Sequence, residues 1–142
     1  LPEHNNFASL IGQEQRNIID QLSNERRTVA KCFGIRNLPE TDEWIAVQSG
    51  TIKGHEQRPI PERAEATKLL RDGVIGSLVP LLSAADLAGT SVPITQAMIR
   101  LAEGVLGADV SAAGRRLDTI GITSKDIDTA RQVMDAIATG NR

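Results

Sequence analysis

Aromatic residues are almost missing from this chain: its 142 residues include one Trp, two Phe and no Tyr. A core must therefore be filled by Ala, Leu, Ile and Val. There is one cysteine, which excludes an internal disulfide framework and any Cys-cluster zinc site. Charge of one sign is also lacking. Sixteen basic residues stand against 18 acidic ones, for a formal net charge of −2, and that leaves no electrostatic footprint for nucleic acid or an anionic membrane. No apolar run approaches the roughly 18 residues that a transmembrane helix needs. The start, Leu1-Pro2-Glu3-His4, has neither a charged nor an apolar leader region, so an uncleaved signal peptide is not expected and a cytoplasmic location is. The only methionines are Met98 and Met134; without an initiator, the chain is expected to be either a processed protein or a piece of a longer one.

What is present is ordinary for a globular domain. Apolar residues make up 40% and charged residues 24%, and the length suits one domain over 1–142 with a core of normal size. The apolar spacing is helical nearly throughout. Ile11, Ile18, Leu22, Val29 and Phe33 recur at steps that form one stripe of a long amphipathic helix, with Gln15, Arg16, Asp20, Asn24 and Arg27 opposite. Gly34 suits the left-handed residue after its end. Pro39 to Glu43 opens a short helix that Thr41 is placed to cap, with Trp44 and Val47 facing inward and Gly50 closing it. Residues 50–62 have no period and read as the one long loop.

A third helical stretch runs from Glu62 to Ala88, and Gly73, Gly76 and Pro80 predict a kink or break within it. Pro93 then fits the first position of a helix whose apparent stripe is Ile94, Met98, Leu101 and Val105, stopping at Gly107. A short helix is expected over 109–118. The last begins at Thr123, where Thr123 and Asp126 resemble a capping box, and carries Ile127, Ala130, Met134 and Ile137 up to Gly140. No segment alternates as a strand does, and no internal repeat is visible. The expected class is all-α.

Chemistry is harder to locate. His4 and His55 have no second ligand at metal spacing. Cys32, beside Phe33, reads as a packed thiol rather than a nucleophile. No Gly-x-Gly-x-x-Gly follows a strand, so the chain does not hold a dinucleotide in the Rossmann manner by itself. Arg26-Arg27 and Arg115-Arg116 are the two basic pairs; such residues either pair with nearby carboxylates or anchor a carboxylate or phosphate with their forked guanidinium.

Several segments, in order and at similar spacing over about residues 16 to 122, resemble the C-terminal α-helical domain of the opine (octopine/nopaline) dehydrogenase family. They are Asp20 to Gly34 with its Glu25-Arg26 and Val29-Ala30-Lys31; Pro39 to Trp44; Ser77-Leu78-Val79-Pro80-Leu81; Gly89 to Pro93; Leu106 to Asp109; and Gly114 to Gly121. The resemblance implies a multi-helix bundle like the helical C-terminal domain of 6-phosphogluconate dehydrogenase-like oxidoreductases. It also implies a separate N-terminal Rossmann domain upstream that holds NAD or NADP. The reaction would be reductive condensation of an amino acid with a 2-oxo acid, hydride being delivered to the imine carbon.

The family pairs a catalytic His with an orienting Asp. Spacing from Val29 puts that His upstream of Leu1, since His4 lies too near the helix. A gapless comparison sets Gly73 at the Asp position and Lys68 at that of a substrate-carboxylate Arg. Two alternatives follow: the register shifts by one and Asp72 is the catalytic dyad carboxylate, or the orienting carboxylate is lacking. Lys68 is then the candidate substrate-binding residue, as a point charge without the fork of Arg. The i,i+4 spacing of Lys68 and Asp72 equally suits a plain surface ion pair. A rival reading from another class is a non-catalytic helical interaction or dimerisation module, forming a homodimer through its apolar stripes.

Overall fold

The computed structural model describes residues 7–50, 59–114, 116 and 127–140. Among them no strand occurs, and the all-α class is borne out. A 3-10 turn over Phe7–Leu10 leads into α1 (Gln13–Cys32), followed by α2 (Thr41–Ser49), α3 (Arg63–Gly73), a π turn (Val74–Leu78), α4 (Val79–Ala88), α5 (Pro93–Leu106), α6 (Asp109–Ala112) and α7 (Ile127–Thr139). Helix α1 packs against α4, α5 and α2; the π turn contacts α5 and α6.

At the start of α1, the Gly12 N–H donates to Gln15 Oε1 at 3.1 Å, which satisfies one donor the helix leaves open. At its end Gly34 takes φ 79°, while the Ile35 N–H reaches Ala30 O at 2.9 Å and the Gly34 N–H reaches Lys31 O at 3.0 Å. This crossed pair is the Schellman arrangement, which a residue without a Cβ closes at no steric cost. Gly89 repeats it behind α4. Only the C-terminal part of the expected α1 stripe is buried: Val29 and Phe33 are inside, whereas Ile18 is 46% exposed. In α2 the cap expectation needs correction. Glu40 is the N-cap and Thr41 the first helical residue, buried, with no side-chain cap bond. Acidic Asp42 and Glu43 still favour the first turn through the helix dipole.

The predicted break in the third helix is a π turn. The Val79 N–H bonds Val74 O, a register of five. Pro80 follows directly and has no N–H to give, so a wider turn ahead of it removes the clash an α register would impose. The same register stacks residues five apart, which brings Val74 and Val79 to one side, at 0% and 2% exposure. They join Ile99, Ala102 and Val110 in one core cluster. A second cluster gathers Val29, Phe33, Ala85, Val92 and Ala130, and Leu82 touches both. Burying each Val contributes about 1.5–3 kcal/mol. A Cβ at Gly114 would overlap the Val79 side chain, so the chain leaving α6 lies directly on that core.

In α5 the buried face is not the expected one. Thr95, Ile99 and Ala102 point inward, while Leu101 and Val105 are 67% and 72% exposed. Thr95 is drawn in by its contacts with the Glu25 carboxylate. The helix expected over 109–118 is limited to Asp109–Ala112. The proposed cap at Thr123 and Asp126 and most of the 50–62 loop lie outside the described residues. Ala130 of the α7 stripe is fully buried and Ile127 packs beside it.

Candidate functional site

Three consecutive charged residues on α1 organise the neighbourhood. Helical spacing turns Glu25, Arg26 and Arg27 about 100° apart, so each faces a different partner. Glu25 turns toward α5. Its carboxylate accepts the Ile94 N–H at 2.7 Å, the Thr95 N–H at 2.8 Å and the Thr95 hydroxyl at 2.7 Å. The N-cap of α5 is Val92, which has no side-chain oxygen, and Pro93 occupies the first turn. Glu25 therefore supplies from another helix the anion that the α5 N-terminus would otherwise lack.

Arg27 turns toward α2. It donates to Glu40 Oε2 at 2.7 Å, Pro39 O at 3.2 Å and Asn24 Oδ1 at 3.3 Å. Its Nε is buried without a hydrogen-bond partner among the described residues. Arg16 and Asp42 form a second ion pair between α1 and α2. Together these contacts hold α2 and its lead-in against α1.

Between those elements and the π turn lies a groove of about 620 Å³, within the size range of small-molecule sites. Leu22 and Arg26 of α1, Trp44 of α2, Ser77 of the π turn, and Pro80 and Leu81 of α4 form its walls. Arg26 is exposed and makes no ion pair or hydrogen bond among the described residues. Glu40 also lines the groove, but Arg27 already engages its carboxylate. A smaller hollow of about 250 Å³ adjoins, walled by Val29, Phe33 and Leu38 and sharing Arg26, Leu81 and Ala84. A guanidinium without a partner among the described residues thus lines two adjoining apolar hollows.

Lys68 and Asp72 lie on α3, both exposed, and neither lines the groove. No ion pair joins them to each other or to another described residue, so the surface-pair expectation does not hold. Asp72 precedes the groove residue Gly76 by four positions, about 6 Å of helix rise. Of the basic pairs, Arg116 lies 3.7 Å from Asp86. Arg115 and both histidines are outside the described residues. Cys32 is half-buried and packs against the core, as its neighbour Phe33 suggested.

Away from the groove, the Ser111 hydroxyl, with Arg100 assisting, holds the Glu103 carboxyl below its ordinary value; desolvation opposes them. This ties α6 to α5. No group of three or more His, Cys, Asp or Glu among the described residues is arranged to hold a metal ion. No described helix is long and apolar enough to cross a membrane.

The sequence flagged Arg26 only as half of a basic pair. It contained no signal for which partner would be free, because that depends on Glu40 meeting Arg27 across the gap between helices. Trp44 was expected to face inward, and it does so as a groove wall rather than in a core cluster. In comparisons with family models, curated proteins and solved structures, the chain matches none.

Proposed function

We propose that this chain is the substrate-binding helical domain of an opine-dehydrogenase-like NAD(P)-dependent oxidoreductase. The observation that carries the reading is a convergence. Three segments that bear the resemblance (Leu22 to Arg26, Pro39 to Trp44, and Ser77 to Leu81) are far apart in sequence, yet all border one groove. A site that must hold a small amphiphilic substrate needs an enclosing apolar surface and few polar groups, which describes that groove.

The residues described here do not fit a dinucleotide. They form helices without the strand and glycine-rich turn that cradle a pyrophosphate. The nicotinamide, which would supply the hydride, belongs on this reading to a separate Rossmann domain that closes over the groove. The role of this chain is to bind and orient the amino acid and 2-oxo acid and to exclude water from the closed cleft. On the same reading, Asp72 serves as the dyad carboxylate and Lys68 as a carboxylate contact, both carried on the rod whose next turn forms the groove wall.

The test is an assay of nicotinamide oxidation by the full-length gene product with pairs of amino and 2-oxo acids. Turnover that requires both substrates supports the reading. Cofactor binding without turnover across a broad panel overturns it. A second reading, a non-catalytic dimerisation module, is favoured by one observation: Leu101 and Val105 form an exposed apolar face on α5. Equilibrium sedimentation of the chain checks it, a homodimer abolished by Leu101→Glu being the supporting result and a monomer of the unmodified chain the refuting one.

A further inference from the structure

We infer that the groove is a binding site for a monocarboxylate with an apolar body, and that Arg26 anchors its carboxylate. The inference rests on the reading of this groove as a substrate site, and it names the chemistry the site selects. Among the described residues, two charged side chains line the groove, Arg26 and Glu40. Glu40 is neutralised by Arg27 at 2.7 Å, and Arg27 is not itself part of the lining. Among the described lining residues, the uncompensated charge is therefore a single positive one.

That charge sits on a planar fork whose parallel N–H donors match the two oxygens of a carboxylate. The surroundings select what the carboxylate is attached to. Leu22, Trp44, Pro80 and Leu81 present apolar surface on one side of Arg26, and Val29 and Phe33 do so on the other. An apolar body filling either hollow removes that surface from water and at the same time dries the ion pair, which strengthens it. A phosphate is matched less well, because a dianion favours more than one cationic partner and the described lining offers one guanidinium. A cation is repelled outright.

Trp44 is the only Trp of the chain and forms part of the wall, so its fluorescence reports occupancy directly. The experiment titrates the 142-residue chain with hexanoate, and in parallel with acetate, hexylamine, hexanol and inorganic phosphate. Hexanoate is expected to change Trp44 emission saturably with a Kd in the millimolar range, and to bind at least about tenfold more tightly than any of the other four. Arg26→Gln should weaken hexanoate about tenfold and leave hexanol unchanged, with Arg26→Lys in between. Arg26 makes no hydrogen bond or ion pair among the described residues, so circular dichroism of both variants should match the parent. A groove-filling Ser77→Phe should abolish binding of hexanoate and hexanol alike.

Equal hexanoate affinity in the parent and Arg26→Gln overturns the assignment. So does phosphate or hexylamine binding as tightly as hexanoate, or no saturable signal up to about 50 mM. The two readings fail separately. Hexanoate binding through Arg26 in a full-length protein that does not oxidise nicotinamide overturns the oxidoreductase reading alone. Turnover by the full-length protein that Arg26→Gln leaves unaltered overturns the Arg26 assignment alone.

Discussion

Removing the Glu25 carboxylate should destabilise the chain by about 2.5–6 kcal/mol, more than a surface glutamate has any reason to contribute. Three donors converge on it at 2.7–2.8 Å. In Glu25→Ala, the Ile94 and Thr95 amides lose a cap, at a cost of about 1–2 kcal/mol together. The Thr95 hydroxyl cannot turn to water, because Thr95 is 0% exposed, and an orphaned buried donor costs about 1–3 kcal/mol. Loss of a negative charge at the α5 N-terminus adds about 0.5–1 kcal/mol. Glu25→Gln should fall between the parent and Ala, since one amide oxygen still accepts but the amide nitrogen meets donors. Thr95→Val should cost about 1 kcal/mol alone, because the carboxylate keeps both backbone donors.

Urea unfolding measures these costs. At an m-value of about 2 kcal/mol/M, Glu25→Ala moves the midpoint down by about 1–3 M with m unchanged. The sharper measurement is the cycle with Thr95→Val, where a coupling of about 1–2 kcal/mol is expected. A loss under about 1 kcal/mol in Glu25→Ala, or strict additivity in the cycle, would refute the view that this carboxylate caps α5.

Gly114→Ala should cost about 1–3 kcal/mol in the same unfolding assay, since the added Cβ overlaps Val79 and the core there is close-packed; a change within experimental error would mean that the chain after α6 yields freely. Ser111→Ala should raise the Glu103 pKa toward the ordinary carboxyl value, read by carboxyl carbon chemical shift against pH. A depressed folded pKa contributes stability that is present above the unfolded value and is lost as pH falls through the folded one. The acid limb of the stability profile should therefore flatten in Ser111→Ala, and an unshifted titration would remove Ser111 as the cause. Arg27→Met should weaken hexanoate binding several-fold although Arg26 is intact, because Glu40 is released beside it; adding Glu40→Gln should restore affinity, and failure to restore it would show that the loss was structural.

The break in the third helix was legible because glycine and proline act through the local backbone. Gly73, Gly76 and Pro80 constrain their own turn whatever packs outside it. The form of the break was not legible, because a π turn is selected by which residues must be inward, and Val74 and Val79 are chosen by α5 and α6. The face of α5 was misread for a related reason. Its apolar residues run most of the way round the helix, from Ile94 and Met98 to Ile99, Ala102 and Leu106. A periodicity argument takes the bulkiest line, Leu101 and Val105 included. The fold takes the line containing Thr95, since Glu25 lies 70 positions earlier and binds it. Arg26 was visible as a candidate anchor, but its freedom was not, being a consequence of Arg27 meeting Glu40.

These outcomes share an origin in the Glu25-Arg26-Arg27 run on α1. A helix presents successive residues about 100° apart, so three adjacent charges cannot serve one partner. Glu25 is consumed in fixing α5, and Arg27 in fixing the lead-in to α2. Both consumed charges have a structural effect on the groove: α2 is the wall that carries Trp44, and α5 supports the π turn that forms the opposite wall. The middle residue then faces a cavity whose borders its neighbours help hold apart, and the only carboxylate among the described lining residues has been taken from it. An arginine left free in this way is not a leftover of surface composition. The same two contacts that hold the groove's walls leave its guanidinium as the one charge in the lining without a partner among the described residues.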